Sequence, residues 1–405
     1  MRERLVIVGS GMASGRMLEH LCRAMPDAFD ITLFGAEPHG NYNRIMLSPV
    51  LAGEESFENI VVHDAAWYTQ HKIVCRFGET VTKIDRARKV VVSARGETAY
   101  DRLVLATGSA PFILPVAGKD LPGVVAFRDF GDVQTMLAAA ETPGANAVVI
   151  GGGLLGLEAA AALKKRGMNV VVLHLMAHPM ELQLDATAGA YLQRALESRG
   201  IKVHCLAQTK AILGNERVEA VLLDDGTIYP ADLVVMAAGI RPETRIARDA
   251  GLHVERGIVV GDDMRTSDPD ILALGECVEH ADRCYGFVEP LYEMAAVAAR
   301  SLAGEQASFS PAKTATNLKV TGLSVFSAGN FAGADENCEP LVFRDPAARI
   351  YKKLILRDEK LVGVVLFGDT ADGTWYLELI RSGASVADMR GELAFGRTLA
   401  MREAA

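Results

Sequence analysis

The chain of 405 residues is 50% hydrophobic and 23% charged, with 38 Gly and 15 Pro, values that exclude disorder and collagen-like structure. At about 150 residues per domain it holds two to three domains with ample core. A net charge of −9, from 42 Lys+Arg against 51 Asp+Glu with no local basic patch, argues against nucleic acid or an anionic membrane surface as a partner.

In chain order, Leu5-Val6-Ile7-Val8 is an apolar run of strand length that enters a turn through Gly9, Gly11 and Gly15. The glycines interrupt the run before it can serve as the apolar core of a signal peptide, so a cytoplasmic protein is expected. A helical stretch with Met17, Leu18 and Leu21 follows, then an apolar strand over residues 31–34. Strand, glycine turn, helix and strand make a βαβ unit with a parallel sheet. Val/Ile runs on either side of Arg86-Ala87-Arg88-Lys89 predict an antiparallel meander over that sheet. Leu103-Val104-Leu105-Ala106-Thr107-Gly108 closes the unit with a short strand.

The pattern then recurs. Residues 147–150 lead into Gly151-Gly152-Gly153-Leu154-Leu155-Gly156, a helical stretch runs to Leu163, and residues 170–173 form the next strand. Asp224-Asp225-Gly226 marks a meander turn, and Leu233 to Gly239 is the closing strand. The apolar stretch 147–163 is broken by three consecutive glycines and Glu158 and is too short to span a bilayer. The fold class predicted is α/β, with two Rossmann-like dinucleotide-binding domains and a small C-terminal α+β domain. In the last of these, residues 349–356 and 361–367 flank Asp358-Glu359-Lys360 as a hairpin, and 375–382 is helical.

Six cysteines, Cys22, Cys75, Cys205, Cys277, Cys284 and Cys338, form no CxxC. Their scatter excludes a zinc ribbon, a thioredoxin-type pair and an iron–sulfur cluster, and reads as reduced thiols; no metal is expected.

The glycine turns carry the chemistry. The first glycine permits a tight turn, the second lets backbone approach a pyrophosphate, and the third lets helix pack on strand, with the phosphates at the helix N-terminus. Gly151, Gly153 and Gly156 fit in full, whereas in the first copy Gly9 and Gly11 are followed by Ser14. Glu37, after the second strand, is placed to accept hydrogen bonds from an adenosine ribose. The matching position in the second copy is His174, with no acid beside it and no Arg or Lys before Glu181. NADH against NADPH stays open on these residues, with a lean to NADH because no cation awaits a 2′-phosphate. Two dinucleotide sites imply FAD and NAD(P)H, with hydride passing from nicotinamide C4 to flavin N5.

This order of glycine turns, with Glu37, Ala106-Thr107-Gly108, Glu158, Gly239-Ile240-Arg241-Pro242 and Gly275-Glu276, resembles the two-dinucleotide flavoprotein reductases, among them ferredoxin, rubredoxin and putidaredoxin reductases. It is most similar to the FAD-dependent module of the NAD(P)H-nitrite reductase large subunit, through Asn41-Tyr42-Asn43-Arg44, Leu47-Ser48-Pro49, Gly275-Glu276-Cys277 with His280, and Leu318-Lys319-Val320. The resemblance implies that Gly9, Gly11 and Ser14 cradle the FAD pyrophosphate and that Glu37 binds the adenosine ribose. It implies that Thr107 and Gly108 pass under the FAD chain and that Glu276, where many relatives have Asp, bonds a ribityl hydroxyl. Arg44 either helps hold the FAD phosphates or makes a surface salt bridge. Glu158 would face the nicotinamide carboxamide. Lys319 would either offset negative charge at the flavin N1/O2 edge or face water. The other cofactor-binding positions implied are Met12, Ala13, Ser48, Val81, Ala106, Arg128, Leu154, Leu155, His174, Gly239, Gly275 and Leu291.

Departures narrow the reading. Pro49 stands where ferredoxin-type reductases carry Lys and where peroxide-reducing relatives carry Cys, which favours the nitrite reductase branch and argues against a sulfenate or disulfide relay. The iron–sulfur and sirohaem parts of full nitrite reductases are not among these residues, so electrons are expected to pass to a separate acceptor protein. The candidates are a nitrite reductase component, a rubredoxin, a ferredoxin or a haem protein. The alternatives are a slow nicotinamide-sensing flavoprotein and a direct quinone or oxygen reductase. The domains expected are FAD-binding over 1–115 and 245–315, NAD(P)-binding over 116–244, and a flavin-capping domain over 316–405; the oligomeric state, a homodimer included, stays open.

Overall fold

The structure is a computed structural model that describes residues 2–311, 315–320, 322–333 and 337–401. It divides into two compact units, one made of Met1–Leu47, Glu55–Ala110 and Ile240–Pro311, the other of Ser48–Glu54, Pro111–Gly239 and Ala312–Ala405. Among the described residues no helix is long and apolar enough to cross a membrane.

The first unit is built on a parallel sheet in the order Ile271–Ala273, Arg102–Leu105, Glu3–Val8, Phe29–Gly35, Val74–Phe77. Leu5, Ile7, Leu103, Val104 and Leu105 are fully buried, as unbroken apolar runs must be when both faces of a sheet are covered. Helix Met12–Ala24 turns Met17, Leu18 and Leu21 into this core and packs along helix Val288–Leu302. The meander reads as expected: Val81–Asp85, Val90–Ser93 and Gly96–Ala99 pair antiparallel. Glu3–Val8 is followed in sequence by its neighbour on one side, Phe29–Gly35, while Arg102–Leu105 lies on the other. The connections therefore diverge at its C-terminal end, where open α/β sheets bind ligands.

The second unit repeats this plan. Its parallel order is Ile201–His204, Asn169–Leu173, Asn146–Ile150, Leu233–Met236, Val124–Ala126, with Thr209–Leu213, Ala220–Leu223 and Ile228–Pro230 as the meander. It also carries an antiparallel sheet in the order Ala315–Val320, Leu323–Gly329, Lys360–Phe367, Ile350–Arg357, Glu339–Asp345, covered by helix Gly373–Ser382 through Trp375, Tyr376 and Ile380. The expected hairpin forms with a turn at Asp358 and Glu359, both left-handed at φ 50° and 54°, a conformation usually taken by Gly or Asn. Within this unit the C-terminal sheet meets helix Ala186–Glu197: the Tyr351 hydroxyl donates to Asp185 Oδ2 at 2.7 Å and Lys353 Nζ lies 3.3 Å from the same atom. Asp185 is also that helix's N-cap, accepting from the Ala188 N–H at 2.9 Å.

Candidate active site

In the first unit the site begins where Glu3–Val8 ends. Gly9 has φ +112°, and a Cβ there would run into the Ala106 carbonyl oxygen, so only glycine lets the two strand ends cross. Gly11 is the N-cap of helix Met12–Ala24 and makes no side-chain cap bond; a Cβ on it would meet nothing within 4 Å. Unsatisfied helix N–H groups at Met12 and Ala13, beside an open face, form a cradle that fits a pyrophosphate. Ser14 is buried and its hydroxyl donates to the Gly11 carbonyl at 3.0 Å, so the third position of the motif is filled by a small residue that satisfies itself. The extra Gly15 has a different purpose, because a Cβ there would overlap the Asn41 side chain.

Other expected residues gather around this turn. Gly275, at φ +92°, follows Ile271–Ala273 and presses on the start of the helix, where its would-be Cβ lies 3.2 Å from Ala13 Cβ. Glu276 Oε2 accepts the Ser109 hydroxyl at 2.7 Å, and Thr107 Oγ1 donates to the Glu243 carbonyl at 2.6 Å, with Gly108 left-handed beside it. Val81 opens the meander and Leu291 lies on helix Val288–Leu302, both buried. Glu37 accepts from the Tyr42 hydroxyl at 2.7 Å and is ion-paired with Arg44, whose guanidinium lies over the Tyr42 ring.

The second turn repeats the first. A Cβ on Gly151, at φ +121°, would run into the Ala237 carbonyl, and one on Gly156 into the Gly151 carbonyl. Gly153 is an uncapped N-cap with open space, and Leu154 and Leu155 begin helix Leu154–Lys165. Gly239, at φ +112°, accepts from the Phe112 N–H at 2.8 Å.

One reading needs correction here. The sequence shows no acid beside His174, but the structure brings one to it. The chain leaving Asn169–Leu173 doubles back, the Met180 N–H donating to the Gly152 carbonyl at 2.9 Å, and Glu181 Oε2 comes within 3.0 Å of His174 Nε2. His174 is buried and accepts the Gly152 N–H at Nδ1 at 3.1 Å, which leaves the ring proton of the neutral form on Nε2, close to the carboxylate but not hydrogen-bonded to it. Gly152 falls outside the three-glycine pattern, yet a Cβ there would lie 2.8 Å from His174 Cγ. Sequence reasoning missed both Gly152 and Glu181; three consecutive glycines were the available signal for the first.

Glu158 lies on helix Leu154–Lys165 and accepts the Ser48 hydroxyl at Oε2, 2.6 Å away. Burial pushes its pKa above the ordinary carboxylate value, and the Ser48 bond opposes that rise. Ser48 thus belongs to the second unit, with Glu158, and not with the first glycine turn. The 48–54 segment is anchored there by Arg166 Nε, which donates to the Leu51 carbonyl at 2.7 Å. Arg128 stands at the entry to helix Phe130–Ala140, its N–H donating to Asp132 Oδ2 at 2.7 Å. Lys319 occupies the position opposite Ser324 in the C-terminal sheet; its side chain lies outside the described residues. All six cysteines are free thiols, and burial raises the pKa of Cys277, whose sulfur donates to the Leu274 carbonyl at 3.3 Å.

Residues 3–301 match the family model of pyridine nucleotide-disulphide oxidoreductases, and residues 315–384 that of the rubredoxin NAD+ reductase C-terminal domain. The chain is 48% identical over 389 residues to a nitrite reductase [NAD(P)H] of Bacillus subtilis (strain 168), covering 96% of this chain and 48% of that protein. It is 43% identical over 373 residues to the assimilatory nitrate reductase electron transfer subunit of the same organism, covering 92% of this chain and 48% of that one. The chain spans about half the length of these curated relatives. Among solved structures, the covalent putidaredoxin reductase–putidaredoxin complex matches at a TM-score of 0.85 and 28% identity, over 95% of this chain and 94% of that one.

Proposed function

The chain belongs to the pyridine nucleotide-disulphide oxidoreductase family, and on that premise we propose that it is an FAD-dependent NAD(P)H oxidoreductase that passes electrons to a separate redox protein. The observation that carries the reading is the duplicated glycine turn, each copy ending a central parallel strand and each open at its helix N-cap, Gly11 and Gly153. FAD, when bound, supplies the chemistry that accepts a hydride from a nicotinamide and releases the electrons one at a time.

The protein's own residues bind and orient. Backbone N–H groups from Gly11 through Ser14 hold the FAD pyrophosphate, and Glu37, steadied by Tyr42 and Arg44, takes the adenosine ribose. Glu276 accepts from a flavin-chain hydroxyl, with Ser109 fixing its carboxylate. The turn through Gly151, Gly153 and Gly156 holds the nicotinamide dinucleotide, and Glu158 accepts from its carboxamide while Ser48 holds the carboxylate in place. The acceptor is a nitrite reductase component, a rubredoxin, a ferredoxin or a haem protein. The resemblance to partner-dependent electron-transfer proteins supports this class, and the six unpaired cysteines give no support to a dithiol relay.

Anaerobic stopped-flow mixing tests the proposal. Reduced nicotinamide should bleach the flavin of the purified protein, and one of the named carriers should restore its colour at a comparable rate. A folded protein that retains no FAD, or a reduced flavin that every carrier leaves unchanged, would overturn it.

A further inference from the structure

We propose that Glu181, brought back beside His174, selects the nicotinamide nucleotide without a 2′-phosphate, so that the electron donor is NADH and not NADPH. The inference rests on the assignment of the second glycine turn to a nicotinamide dinucleotide and adds which dinucleotide it takes.

The end of the strand after a glycine turn is where the ribose of a bound dinucleotide is met. A carboxylate there accepts hydrogen bonds from free ribose hydroxyls and repels a phosphate in their place. His174 occupies the strand end but is not such a group: it is neutral when it accepts the Gly152 N–H, and its other nitrogen faces Glu181 at 3.0 Å. Glu181 reaches the strand end from seven residues further along and remains partly exposed, at 27% of its side chain, while His174 behind it is only 7% exposed. Among the described residues the side chain lying against the Glu181 carboxylate is this neutral imidazole and not a Lys or Arg that could welcome a phosphate.

The selecting group is tied to the phosphate-binding turn at two points. Gly152 donates its N–H to His174, and its carbonyl accepts from Met180, the residue before Glu181. These bonds fix the backbone from which the Glu181 side chain projects at the strand end. Leu175, Met176 and Leu206 are exposed next to the pair, with the Leu206 N–H bonded to the Met176 carbonyl at 3.1 Å, an apolar rim suited to a purine ring.

Calorimetric titration of the FAD-loaded protein with NAD+ and with NADP+ tests this without relying on turnover. Wild-type protein should bind NAD+ at least about tenfold more tightly, the scale of hydrogen bonds to a charged group. Glu181→Gln should weaken NAD+ binding and tighten NADP+ binding, and Glu181→Arg should reverse the preference. Equal affinities in the wild type, or a preference unchanged in both variants while their melting temperatures match wild type, would overturn the inference. If the wild type bound neither nucleotide, the underlying assignment of the turn would fall, and this inference with it.

Discussion

The Ser48 hydroxyl donates to Glu158 Oε2 at 2.6 Å across 110 positions of sequence, joining a short segment near the N-terminus to the helix that follows the second glycine turn. Burial raises the Glu158 pKa and this hydrogen bond opposes the rise. Ser48→Ala therefore leaves Glu158 protonated over a wider pH range. The acid limb of flavin reduction by NADH should move to higher pH, with kcat/KM down by about tenfold at mildly acid pH and recovering as pH rises. A uniform loss at every pH would mean that Ser48 acts on packing alone.

The raised Glu158 pKa also has a stability consequence. The folded state keeps this proton to higher pH than the unfolded chain, so stability falls as pH rises from the ordinary Glu value through the folded one. Glu158→Gln removes that loss. Its melting temperature should exceed that of wild type above neutrality and converge with it in acid, which thermal melts across the pH range would read.

Gly9 and Gly11 separate fold from function. Gly9→Ala places a Cβ on the Ala106 carbonyl at a positive φ and should destabilise the first unit by about 2 kcal/mol or more. Gly11→Ala adds a methyl to open space on extended backbone, so stability without cofactor should fall by only about 1 kcal/mol or less, the preference of an N-cap for Gly over Ala. FAD affinity should nevertheless fall by about tenfold or more, because the methyl occupies the cradle face. Urea unfolding of the FAD-stripped variants and fluorescence titration with FAD measure the two effects separately.

Asp185 caps helix Ala186–Glu197, accepts from Tyr351 and lies 3.3 Å from Lys353 Nζ. Asp185→Ala should cost about 2–3 kcal/mol, the sum of a lost cap, a half-buried Lys353 left without its partner and the stranded Tyr351 hydroxyl. Tyr351→Phe, which removes one hydrogen bond, should cost about 1 kcal/mol. Denaturant titration that found the two equal would show that the cap contributes nothing.

His63 is buried, stacked on Trp67 at 3.9 Å between ring centroids, and 3.0 Å from Glu19. Burial lowers its pKa, with Glu19 opposing. As pH falls, the unfolded chain takes up this proton first, so stability is lost from the ordinary His value down through the folded one. His63→Gln should flatten that acid limb by about 2–4 °C in melting temperature. Trp67 fluorescence followed during the melts would attribute the change to this contact.

The duplicated fold and most of the two glycine turns were legible in the amino-acid order, because each signal is local. A glycine that must adopt positive φ against a neighbouring carbonyl, as at Gly9 and Gly151, leaves its mark where it sits, and apolar runs such as Leu5-Val6-Ile7-Val8 declare a strand covered on both faces. The turn at Asp358 and Glu359 was legible only as a break between two apolar runs. Its left-handed backbone carries no glycine and is imposed by the pairing of the strands on either side.

Contacts between chain segments were decided by tertiary structure alone. Ser48 reads as part of the first unit and folds with the second, because Arg166 and Glu158 hold its segment there. His174 reads as a strand end without an acid until Met180 bonds to Gly152 and brings Glu181 back to it. No periodicity or motif encodes such pairs, since side-chain position in a loop depends on where the backbone carbonyls of another segment lie. Local stereochemistry determined that this chain builds two dinucleotide cradles; the return of one loop decided which charge stands at the rim of the second.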